Sequence, residues 1–191
     1  MNSYWEWVIS MFPKTIAPNA ITFIGWLLII ISEIIMMCHS IKFDREIPSW
    51  CFFFTSFAIF AYQTLDAIDG KQARRTESSS PLGQLFDHGC DSFTLGFFIL
   101  GVCHAFQISG FNAVFLMIGA QFVFWTSNWA EHHTGVLNTK VGQIGVTEMQ
   151  LISVLIHLIT GVMGQEFWKF KLQSVLFFVD LPQSLQTTTL I

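Results

Sequence analysis

The sequence predicts an all-α integral membrane protein, a bundle of five to six transmembrane helices. Three observations predict it. Charged residues make up only 12% of the chain, against about a quarter in soluble domains. Five apolar runs approach or reach the roughly 20 residues that a helix needs to cross the hydrocarbon of a bilayer. Basic residues gather between the second and third runs, the loop asymmetry that orients helical membrane proteins.

The elements follow in order. Residues 1–18 form an N-terminal segment in which Trp5, Val8, Ile9 and Phe12 recur at helical spacing. The opening MNSYWEWVISMF lacks a basic start and a small-residue cleavage site, so an interfacial amphipathic helix is expected rather than a signal peptide. The membrane core is expected over 19–165. Its first span, 19–39, opens beside Pro18 and Asn19, both helix-start residues. The second covers 50–70, the third 84–107 and the fourth 111–130. The fifth, 149–164, is short and should extend at one or both ends. Residues 166–191 begin with EFWKFKLQSVLFFVD, which carries two lysines, and end in a polar tail. They read as an incomplete sixth helix, or as an interfacial helix and tail.

Lys71, Arg74 and Arg75 put the loop between spans two and three on the cytoplasmic side, and Lys14 and Lys140 agree. Lys169 and Lys171 fall on the opposite side and conflict with that topology. A formal net charge of -4 argues against a nucleic-acid partner, which would favour a basic face. Cys38, Cys51, Cys90 and Cys103 show no paired spacing and read as free thiols.

The chemistry is concentrated in one stretch, DAIDGKQARRTESSSPLGQLFDHGCDS, over residues 66–92. Asp66 and Asp69 are three apart at the end of span two, and Asp87 and Asp91 are four apart at the start of span three. Each pair therefore shares a helix face. A short loop between antiparallel spans brings the two pairs together. Like charges about 4 Å apart repel by roughly 4 kcal/mol at an effective dielectric near 20. Divalent cations relieve that repulsion better than protonation does. Mg²⁺ favours carboxylate oxygens and fills its shell with water and phosphate, so the cluster reads as a one- or two-metal site for a phosphorylated substrate. Gly70 and Gly83 leave room for a ligand against the backbone. Ala73 keeps the same face small, and Arg74 offers a planar fork for phosphate oxygens. Ser80 followed by Pro81 marks the start of span three.

The spacing Asp66-x2-Asp69-Gly70-x2-Ala73-Arg74-x8-Gly83-x3-Asp87-x3-Asp91 resembles, position by position, the signature of the CDP-alcohol phosphotransferase family. The flanks YQTLDAIDGKQARR, SSSPLG and FDHGCDS, with FPKTIAPNAIT upstream and GQIGVTEMQ downstream, look like its choline/ethanolamine phosphotransferase branch. The resemblance implies a short or truncated form of that fold, with the catalytic hairpin at 50–107. It implies transfer of phosphocholine or phosphoethanolamine from CDP-choline or CDP-ethanolamine to diacylglycerol, with release of CMP. Asp66, Asp69 and Asp87 would bind Mg²⁺ or Mn²⁺. Asp91 would be the base and also a ligand, and Gly70, Ala73, Arg74 and Gly83 would line the CDP site. The implied location is the endoplasmic reticulum or Golgi membrane, with the site facing the cytoplasm.

Other residues carry weaker expectations. His88 adjoins Asp87 but points about 100° round the helix, as a supporting group or an alternative base. His132 and His133 are placed for proton transfer or as interfacial histidines. Trp125, Trp129 and Glu131 invite comparison with a choline site, although tryptophan at an interface is more often an anchor. Glu33 lies within span one, away from the aspartates, and has no assigned role. Lys71 and Arg75 fit topology signals or lipid-headgroup contacts. Prenyltransferases with two distant acidic motifs are disfavoured because both acidic pairs here share one hairpin, and no membrane-phosphatase signature is present. The competing expectation is a truncated, non-catalytic form acting as a binding or regulatory partner. A homodimer is compatible with the fold if the missing helices are not required.

Overall fold

The structure, a computed structural model, describes residues 2–135 and 145–169. Six α-helices appear in it: α1 (Asn2–Met11), α2 (Pro18–His39), α3 (Ser49–Arg75), α4 (Pro81–Phe106), α5 (Gly110–Thr134) and α6 (Val146–Met163). The last five are long and apolar enough to cross a membrane. The protein is an all-α integral membrane protein. Lys140, Lys171 and the polar tail lie outside the described residues.

Local sequence explains most helix ends. Pro18 opens α2 at its first turn, where a missing N–H costs nothing. Ser80 caps α4 by accepting the Gly83 N–H at 3.1 Å, and Pro81 follows it. α6 begins three residues before the expected fifth span because Glu148 reaches back to the Gly145 N–H at 2.9 Å. α3 runs 27 residues, about 40 Å at 1.5 Å per residue, so it exceeds the hydrocarbon thickness.

α3 is the axis of the bundle. It packs most extensively on α2 and α6, while α4 packs on α2, α5 and α6. α3 and α4 touch only sparingly although they are consecutive. The expected hairpin is therefore held chiefly through α2, which lies against both. Small residues set the close approaches, as between helices in lipid. A Cβ on Gly25 of α2 would meet the Tyr62 ring at 3.3 Å, and one on Gly161 of α6 would meet the Phe53 ring at 2.9 Å. Three apolar clusters fill the interior: Met36, Ile47, Cys51, Phe52 and Ala105; Ile29, Ala58, Ile59 and Tyr62; and Val8, Ile9, Ile21 and Ile68 under α1. Partly buried apolar side chains such as Leu65, Phe97 and Ile156 pack against these clusters, while many others, including Phe57, Phe93 and Val162, are exposed as lipid-facing residues should be. α5 has one buried residue, Ala113, and packs on α4 at the periphery.

Polar contacts tie both ends of the bundle. At the far end, Glu33 of α2 meets His104 of α4 at 3.1 Å, and both are buried. Gln165 donates to the His104 carbonyl at 2.7 Å and accepts the Ile47 N–H at 2.8 Å. The partner of Glu33 is thus a histidine 71 residues away. At the other end, α1 is strapped to α3. Gln72 donates to the carbonyls of Pro13 and Ile16, both at 3.0 Å. Arg75 donates to those of Ile9 and Phe12 at 2.6 and 2.9 Å. All four cysteines are free.

Candidate active site

α3 and α4 bring their acidic turns together where they converge. Carboxylate oxygens of Asp66, Asp69 and Asp87 lie within 4.8 Å of one another. Asp69 is buried, and the other two are partly buried. At such separations each ionised pair repels by about 3–4 kcal/mol at an effective dielectric near 20. The trio does not resolve this by bonding to cationic side chains. Among the described residues no Lys, Arg or His forms an ion pair with any of the three. Asp87 Oδ1 is buried and receives no hydrogen bond from the protein. Three converging carboxylates with one orphaned oxygen fit a hard divalent cation.

Asp91 lies one turn deeper on α4 and outside that trio. Its Oδ1 accepts a hydrogen bond from the Tyr62 hydroxyl at 2.5 Å. Asp69 Oδ2 accepts one from Thr22 Oγ1 at 2.5 Å. Thr22 belongs to α2, so the helix that spaces α3 and α4 also orients an aspartate. Neither Thr22 nor Tyr62 stands out in the sequence as a site residue. Tyr62 is four residues before Asp66 and shares its face, a signal that could have found it. For Thr22 there was no local signal, because its role depends on how α2 packs.

A cavity of about 740 Å³ opens beside the carboxylates. Asp69, Gly70, Ala73, Arg74, Gly83 and Asp87 all line it, so every small or basic position singled out in the motif faces one space. Asn19 and Thr22 close it from α2, and Ser78, Ser79 and Ser80 from the α3–α4 loop. Gly83 is constrained by its neighbours: a Cβ there would sit 3.3 Å from Ser80 Oγ and 3.4 Å from Asn19 Oδ1. At Gly70 the nearest atom to an added Cβ is Arg74 Nη1 at 3.6 Å, so a side chain there would extend beside the guanidinium.

The remaining candidates separate. His88 Nδ1 is 3.9 Å from Glu131 Oε2, and Gln84 donates to Glu131 Oε1 at 3.4 Å, which together tie α5 to α4. Trp125 and Trp129 are exposed on the outside of α5, as are His132 and His133 at its end, and none of these four lines the cavity. The tryptophans have the placement of interfacial anchors. Glu33 is far from the site, in the pair with His104.

The sequence that builds this site has relatives among known proteins. The sequence model of the CDP-alcohol phosphatidyltransferase family matches residues 15–185. Cholinephosphotransferase 1 of Xenopus laevis is 40% identical over 185 residues, covering 95% of this chain and 44% of that protein. Cholinephosphotransferase 1 of Danio rerio is 38% identical over 170 residues, covering 88% and 44%. The human cholinephosphotransferase 1 is 34% identical over 171 residues, covering 88% and 42%. The chain thus spans a little under half the length of these relatives. A match over nearly all of its residues, including the acidic helix ends and the cavity beside them, places the chain in the CDP-alcohol phosphatidyltransferase family.

Proposed function

We propose that the protein transfers phosphocholine or phosphoethanolamine from a CDP-alcohol to diacylglycerol and releases CMP. The observation that carries this reading is one cavity in which Asp69 and Asp87 of the carboxylate trio meet Gly70, Ala73, Arg74 and Gly83. Asp66, Asp69 and Asp87, with Asp91 close by, would hold Mg²⁺ or Mn²⁺. When bound there, such an ion would supply charge neutralisation for the diphosphate and its leaving group. Arg74 would bind phosphate oxygens from the cavity wall, and Gly70, Ala73 and Gly83 would let the nucleotide lie against two helix backbones. The acceptor hydroxyl oxygen attacks the phosphorus that bears the alcohol. A new P–O bond forms there, the anhydride P–O bond breaks, and its electron pair leaves with CMP. The hydroxyl proton passes to a base, for which Asp91 and His88 are the two candidates. Asp91 already accepts a bond from Tyr62, which would hold its carboxylate in one orientation.

Cholinephosphotransferase relatives favour choline as the headgroup. The proposed location is the endoplasmic reticulum or Golgi membrane with the cavity facing the cytoplasm, supported by Lys71, Arg74 and Arg75 at that end of α3. The test is CMP release by the purified chain with diacylglycerol and Mg²⁺, comparing CDP-choline with CDP-ethanolamine. Release that depends on Asp87 supports the reading, and release that persists in Asp87→Ala overturns the metal-site mechanism.

A further inference from the structure

A second, smaller cavity lies between α1 and the end of α3. Its volume is about 300 Å³, and its lining is Glu6, Ile9, Lys71, Arg74 and Arg75. Three cations and one carboxylate give this lining a charge of +2, on a chain whose formal net charge is -4. Glu6 pairs with Lys71 at 2.5 Å, and its side chain is 60% exposed. Arg75 spends its hydrogen bonds on the carbonyls of Ile9 and Phe12, whose dipoles orient a guanidinium without neutralising it. Arg74 forms no ion pair among the described residues. Elsewhere on α1 the apolar side chains of Trp7 and Met11 stand exposed. An amphipathic helix with that face lies in the membrane interface.

We propose that this notch binds the phosphate monoester of a membrane lipid, its acyl chains lying against the exposed face of α1. A phosphate dianion matches the +2 charge of the lining. The volume holds a phosphate and several waters at about 30 Å³ each. Glu6 occupies Lys71 as an internal anion that the phosphate displaces. Arg74 lines this notch and the larger cavity alike, so a lipid seated here shares a cation with the site of the transfer reaction. Nothing in the inference requires turnover.

The test uses the full chain in nanodiscs of phosphatidylcholine with and without phosphatidic acid, reading bound phosphatidic acid by native mass spectrometry in the absence of any CDP-alcohol. Lys71→Gln should weaken retention about five-fold, corresponding to the roughly 1 kcal/mol that one basic residue contributes at a membrane surface. Glu6→Gln should strengthen it by a similar factor, and Lys71→Arg should retain it. Equal retention in all four proteins overturns the proposal, as does a loss in Lys71→Arg as large as in Lys71→Gln. Soluble glycerol 3-phosphate should leave the lipid in place; binding as tight as that of phosphatidic acid would overturn the lipid assignment. Because no donor is present, failure here is distinguishable from failure of the CMP assay.

Discussion

Asp87 Oδ1 is the residue-scale detail with the most consequence, because a buried carboxylate oxygen without a donor is costly unless something outside the protein meets it. Chelation with EDTA should abolish CMP release, and added Mg²⁺ or Mn²⁺ should restore it. Thr22→Val removes the hydroxyl that orients Asp69. Loss of such a supporting contact typically costs about 10–100-fold in metal affinity, so the Mg²⁺ concentration for half-maximal activity should rise by at least ten-fold, read from a metal titration at saturating donor. Gly83→Val should block donor binding, measured by calorimetry with CDP, since even a Cβ there presses on Ser80 and Asn19. The aspartates, Arg74 and the glycines were legible because helical spacing alone puts them on shared faces. Thr22 was not, since an isolated threonine in an apolar span looks the same whether it faces lipid or a carboxylate.

At the scale of elements, the helices could be read from their apolar runs and their punctuation, to within a few residues at most ends. Their pairing could not. In lipid every face of an apolar helix is acceptable, so no hydrophobic period marks the packed side. Gly25 and Gly161 hold that information instead, and their meaning emerges only once Tyr62 and Phe53 are placed against them. Gly161→Leu should therefore separate α6 from α3 and destabilise the bundle by about 1–3 kcal/mol, seen as a lower thermal midpoint in detergent. The far-end pair makes a different prediction. Glu33→Ala leaves His104 buried without its partner and should cost about 1–3 kcal/mol. Adding His104→Ala to Glu33→Ala should cost less than His104→Ala does alone, which a double-mutant cycle measures.

For the whole molecule, the bundle is lopsided: α3 is enclosed by α2 and α6, while α5 rests on α4 at the edge. Composition announced a membrane protein, but it could not say which helix would be central: the most apolar span is α2, while the central α3 is no more apolar than the peripheral α5. Orientation is a whole-molecule property, and the proposed one rests on the loop charges. With the free, exposed Cys38 replaced by serine, a cysteine placed at exposed Ser79 should react with an impermeant maleimide from the cytoplasmic side of sealed vesicles and not from the other.

The length of α3 bears on kinetics. Its 27 residues exceed what the bilayer requires, so on the proposed reaction its basic end, with Lys71, Arg74 and Arg75, stands in water and a nucleotide arrives there without crossing lipid. Diacylglycerol, on the proposed reaction, diffuses in sideways from within the leaflet. Two substrates that use separate doorways need not queue. Initial rates varied in both should give intersecting lines rather than parallel ones, and CMP should compete with the donor but not with the lipid.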